Sequence, residues 1–112
     1  MTAAVYDALK KAEHFLEDAQ FNLGGGKFDT VANRAYYCAY TSIKALLLAK
    51  NISSKTHSGS HSQFNKYFIL TGIFDPKYAT YLSRLYDLRQ ITDYDFSTFI
   101  DQESAEMAVK YA

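Results

Sequence analysis

Asn33-Arg34-Ala35-Tyr36-Tyr37-Cys38-Ala39-Tyr40 is the stretch on which the fold turns, because its apolar residues belong to a longer row. Val31, Ala35, Cys38, Ala39, Ile43, Leu46 and Leu47 recur at intervals of three and four. That period places them on one wide arc of an α-helix over about residues 30–50. An arc so wide predicts the most buried element of the chain. The small side chains of Ala32, Ala35 and Ala39 would let a neighbouring backbone come close, and Asp29 reads as the N-cap.

The same period extends in both directions. Val5, Leu9, Ala12, Leu16 and Ala19 predict a helix over about residues 3–22, which Gly24-Gly25-Gly26 would stop. Residues 51–60 form a polar connection, and a short helix follows over about 60–70, ended by Thr71-Gly72. Asp75-Pro76 reads as N-cap and first position of a fourth helix. Tyr78, Leu82, Leu85, Leu88 and Thr92 mark its inward row, running to about residue 93. After a break at 95–100, Asp101 caps a last helix carrying Met107, Ala108 and Tyr111. The expected fold is all-α, an up-and-down antiparallel bundle of four main helices plus a short one, formed as a single domain by residues 1–112.

Composition narrows the class. At 48% hydrophobic and 21% charged the chain is ordinary globular protein. Its length allows one core that needs no disulfide or metal to hold it. Cys38 is the sole cysteine and lies within the apolar arc, which points to a core residue in a reducing cytoplasm. The longest purely apolar run, Ala45 to Ala49, is too short for a membrane span, and the first turns are too polar for a signal peptide. A net charge of +0 argues against holding nucleic acid by bulk electrostatics. The charge is nevertheless uneven. Lys27, Arg34, Lys44, Lys50, Lys55 and Lys66 face only Asp29 across residues 27–66, while both ends of the chain are acidic. Such asymmetry fits an anion-facing side, complementary faces in a dimer, or chance clustering on a solvated surface.

Three islands concentrate side chains able to do chemistry. In Arg89-Gln90-Ile91-Thr92-Asp93-Tyr94, the i, i+4 spacing lets Arg89 pair with Asp93, and Tyr94 follows near the helix end. An arginine so held can bind a phosphate, although an exposed ion pair of this spacing is common and weak. In Lys55-Thr56-His57-Ser58-Gly59, Thr56, Ser58 or Ser60 can cap the helix that follows. The N–H groups left over would favour an anion beside Lys55 and His57. Capping alone also explains the hydroxyls. His57 and His61 have the i, i+4 spacing of metal ligands, but no carboxylate is close in sequence and Gly59 threatens the helix, so no metal is expected. The first island offers either a structural network from Tyr36, Tyr37 or Tyr40 to polar groups of the fourth helix, or a cleft joining Arg34 to Arg89 and His57. Ten tyrosines and eight phenylalanines also offer faces on which bases can stack. Gly24-Gly25-Gly26-Lys27 lacks the first glycine, the Ser/Thr and the preceding strand of a phosphate loop.

Taken in order, these islands resemble those of the HEPN family (higher-eukaryote and prokaryote nucleotide-binding domains), specifically its short prokaryotic single-domain members, over about residues 3–112. The resemblance implies a helical bundle, a homodimer, a nucleotide or RNA ligand, and a partner protein of the minimal nucleotidyltransferase kind in a toxin–antitoxin-like pair. Many HEPN proteins are metal-independent ribonucleases using an arginine followed, after four to six residues, by a histidine. None of Arg34, Arg84 and Arg89 has a histidine at that distance, and Tyr94 stands where the shortest version would put it. A phenol near pKa ~10 is a poor replacement as acid or base. The expectation is therefore a cytoplasmic binding module with no catalytic residue and no cofactor. Its nucleotide or RNA site would draw on Arg34, Lys55, Thr56, His57, Arg89, Asp93 and Tyr94. The alternative is a ribonuclease toxin with a degenerate site, Arg89 holding the phosphate and Tyr94 or His57 moving the proton.

Overall fold

The computed structural model describes residues 2–94 and 100–112; the expected break at 95–99 lies outside the described residues. In chain order the described residues form α1 (Ala3–Gly24), α2 (Phe28–Ala49), α3 (His57–Phe64), α4 (Lys77–Tyr94) and α5 (Gln102–Tyr111), with no strand among them. α3 runs directly into a π-helical turn, Asn65–Ile69. This is the all-α, up-and-down bundle that the periodicity predicts.

α2 is its axis and packs against α1, α3, α4 and α5. Ala32 and Ala35 of α2, like Ala12 and Ala19 of α1, are buried. Their small side chains fit the extensive packing of these two helices against each other. Further along α2, Ile43 and Leu47 join Phe64, Phe68, Leu82 and Leu85 in the common core. Full burial of a side chain such as Leu85 is worth about 1.5–3 kcal/mol. Cys38 is buried, as expected of a core thiol. The rows are narrower than the sequence pattern. Leu9 of α1 is 39% exposed, Tyr78 at the start of α4 is 44% exposed, and Leu88 and Thr92 are half-buried.

The helix ends show where local reading succeeds and fails. Asp101 caps α5, its Oδ1 accepting from the Ser104 N–H at 2.8 Å. Asp75 Oδ1 accepts from the Lys77 N–H at 2.9 Å ahead of α4. Asp29 does not cap α2. The N-cap position is Lys27, and Asp29 lies in the first turn, where its Oδ1 accepts from the Ile100 N–H at 3.0 Å. A carboxylate at a helix start can serve its own helix or a foreign N–H, and burial of Ile100 brings one from 71 residues away. α3 begins at His57, three residues before the expected start, because Thr56 caps it by accepting from the Gly59 N–H at 2.9 Å. Gly59 sits within this helix instead of breaking it. A Cβ there would lie 2.7 Å from Thr56 Oγ1, so the glycine makes room for the cap. No helix among the described residues is long and apolar enough to cross a membrane.

Candidate functional site

Because α3 starts at His57, His57 and His61 stand one turn apart on the same face. That face meets Tyr36 of α2, a fully buried tyrosine. The Tyr36 hydroxyl lies 2.6 Å from His57 Nδ1 and 3.1 Å from His61 Nε2, within hydrogen-bond reach of both. Tyr40, one turn further along α2, stacks on the His57 ring with centroids 4.1 Å apart and planes 12° from parallel. Tyr86 of α4 meets His61 edge-on at 5.5 Å. Lys44 donates from Nζ to the Ser54 carbonyl, tying the loop before α3 to α2. Ser60, also fully buried, donates to Ser54 Oγ at 3.0 Å.

α4 brings the cation. The Arg89 guanidinium lies 5.6 Å from the Tyr36 ring centroid and 5.3 Å from that of Tyr37, the geometry of cation–π attraction. Its Nε is 3.0 Å from Asp93 Oδ2, the pair that the i, i+4 spacing predicts, with the side chains 17% and 30% exposed. The Nε–H is not aimed at that oxygen and makes no hydrogen bond among the described residues. Arg89 is thus held by charge and by aromatic faces, and its donors are not committed to the carboxylate.

Arg34 approaches the same platform from α2 itself. Its guanidinium is 4.9 Å from the Phe15 ring and 5.8 Å from that of Tyr37, and its Nε donates to Asn33 Oδ1 at 2.9 Å. The His57 ring is 6.1 Å from Tyr37. Arg34, His57 and Arg89, drawn from three helices, therefore surround one tyrosine ring. Asn33, Arg34, Thr92 and Asp93 line an open groove beside it. Of the remaining candidates, Lys55 is exposed in the connection before α3, and the Thr56 hydroxyl is occupied by capping. The side chain of Tyr94 lies outside the described residues.

Electrostatics keeps the centre of the cluster neutral. Burial, then the charges of Arg89 and Lys44, lower the pKa of His57; burial, then His57 itself, lower that of His61. Burial is also the main cause that raises the Tyr36 hydroxyl well above the ordinary phenol range. At neutral pH the trio is two neutral imidazoles and a phenol beside an arginine. It can donate and accept hydrogen bonds, and it can bind an anion. Among the described residues no group of three His, Cys, Asp or Glu side chains is placed to hold a metal ion.

The family model of the HEPN domain matches residues 5–112. The chain belongs to the HEPN family. The HEPN chain is 38% identical, over 88% of its length and 67% of the relative's, to a Methanocaldococcus jannaschii protein named "Putative toxin MJ0142". It is 33% identical to another from that organism, "Putative toxin MJ0605", over 88% of this chain and 78% of the other. A Thermotoga maritima "UPF0332 protein" is 29% identical over 92% of this chain and 78% of its own.

Two members of the cluster carry more of this HEPN site than their sequence context indicates. Tyr36 is one of three tyrosines equally eligible for a network, and His61 stands out only as half of a metal-like pair. The available signal was the row Ala32, Tyr36, Ala39, Ile43, which puts a phenol on a core-facing stripe. A hydroxyl buried there needs a partner, and the i, i+4 histidines are the nearest polar pair able to supply one.

Proposed function

We propose that this HEPN chain is a cytoplasmic, homodimeric component of a toxin–antitoxin-like pair. It binds the phosphate of a nucleotide or RNA at the Arg89–His57 site and works with a partner protein of the minimal nucleotidyltransferase kind. The observation that carries the reading is the convergence of Arg89, His57 and Arg34 on the Tyr37 ring. A guanidinium resting on aromatic faces is partly desolvated and keeps donors for a phosphate, and neighbouring rings offer stacking surfaces for a base. The toxin names of the two M. jannaschii relatives support the cellular context. Exposed Tyr6, Leu9 and Phe21 on α1 offer apolar area to a second copy.

A second reading is favoured by one observation. Two histidines meet the hydroxyl of Tyr36, whose ring lies under the Arg89 guanidinium, although no histidine follows Arg89 at the ribonuclease spacing. On that reading α3 supplies the acid or base that the motif lacks, and the protein cleaves RNA without metal.

A fluorescently labelled short RNA, incubated in EDTA with wild type and Arg89→Ala, separates the two. Binding without cleavage by wild type, weakened at least about tenfold in the variant, is the expected result. Cleavage that disappears in the variant would replace the first reading with the second.

A further inference from the structure

The Tyr36 hydroxyl has one proton and two imidazole nitrogens to satisfy. It can donate to only one of them, so the other nitrogen must itself donate. The two distances favour one arrangement. Hydroxyl donors make shorter bonds than ring N–H donors, and on that rule the 2.6 Å contact fits Tyr36 O–H donating to His57 Nδ1. The 3.1 Å contact then fits His61 Nε2–H donating to Tyr36. A neutral imidazole whose Nδ1 accepts carries its proton on Nε2. Tyr40, stacked at 4.1 Å, fixes the plane of that ring.

We propose that Tyr36 is a positioning residue that locks His57 as a neutral Nε2–H donor. The site then engages a phosphate through Arg89 and an uncharged imidazole, without proton uptake. The inference rests on the anion-binding reading for its ligand and on the bond distances for the tautomer. The groups packed around His57 come from three helices. α2 contributes Tyr36, Tyr37, Tyr40 and Lys44, α3 contributes His61, and α4 contributes Arg89 with its paired Asp93. The charges of Arg89 and Lys44 oppose a third cation, and burial opposes it further.

The test uses the intact chain. Long-range proton–nitrogen correlation spectra of the imidazoles should show His57 protonated at Nε2 with Nδ1 accepting, titrating below the ordinary histidine range. In Tyr36→Phe the His57 tautomer should become mixed and its titration should move toward neutrality. Binding is read with the dinucleotide UpU, whose phosphodiester does not titrate near neutrality. Its affinity for wild type should change less than about twofold between about pH 7.5 and pH 6, and for Tyr36→Phe it should rise several-fold as His57 charges. An Nδ1–H tautomer in wild type overturns the proposal, and that spectrum decides it even if the variant fails to fold. A several-fold rise of wild-type affinity at the lower pH also overturns it while leaving the anion-binding reading intact. Absence of UpU binding beside the expected tautomer overturns both.

Discussion

Tyr36 is the residue on which most depends. Its ring fills the core between α2, α3 and α4, and its hydroxyl is the partner of two histidines. Replacing it with phenylalanine keeps the ring and strands both imidazole nitrogens, so the loss should be about 1–3 kcal/mol of stability, the cost of buried polar groups left without a partner. Urea unfolding of wild type and Tyr36→Phe measures it. The histidines also predict how stability follows pH. Both titrate lower in the folded chain than unfolded. Below the ordinary histidine pKa of about 6.5 the unfolded chain therefore binds more protons, and stability falls as pH drops through that value toward their folded pKa values. Thermal unfolding at about pH 7.5 and pH 5.5 should show a lower midpoint in acid, and His61→Gln should reduce the difference. These features were only partly legible in the sequence. The Arg89–Asp93 pair follows from helical spacing. Which of Tyr36, Tyr37 and Tyr40 meets the histidines depends on how α3 docks on α2, which no local pattern encodes.

Among the elements, α3 is the one whose placement makes the site. It is short, and its start is set by a single hydroxyl, Thr56 Oγ1 on the Gly59 N–H. Thr56→Ala should cost about 1 kcal/mol, the usual value of such a cap. Imidazole resonances of His57 should broaden or shift in that variant, because the cap holds the first turn in which His57 lies. The long helices were readable from apolar spacing because they bury a continuous face. The short helix was readable too, but its start was not, since its first turn is polar and Gly59 disguises it as a loop. Its π-helical continuation, closed by Leu70 N–H to Asn65 O at 2.9 Å, places Phe68 and Ile69 in the core by a register that a 3.6-residue period does not anticipate. Asp29 shows the complementary error. Its type and position suit a cap, and a partner 71 residues away in sequence claimed it.

Across the whole molecule, α2 carries core and site on adjacent faces. Ala32 and Ala35 are buried on the same helix as Arg34, Tyr36, Tyr37 and Tyr40. Ala35→Leu should therefore do two things at once. It should destabilise the bundle by about 1–3 kcal/mol through overpacking, and it should weaken nucleotide binding by moving the tyrosine platform. Urea unfolding with parallel titrations separates these effects from Leu85→Ala, which should cost about 2–5 kcal/mol from the core of α4. The central claim is that Arg89, steadied by Asp93 and the Tyr36 and Tyr37 rings, and His57 form one anion site. Calorimetric titration of 5′-AMP into wild type, Arg89→Ala and His57→Ala tests it most directly. The account predicts a measurable wild-type affinity that each substitution reduces at least about tenfold. Binding undiminished in both variants, or no binding by wild type, would contradict it.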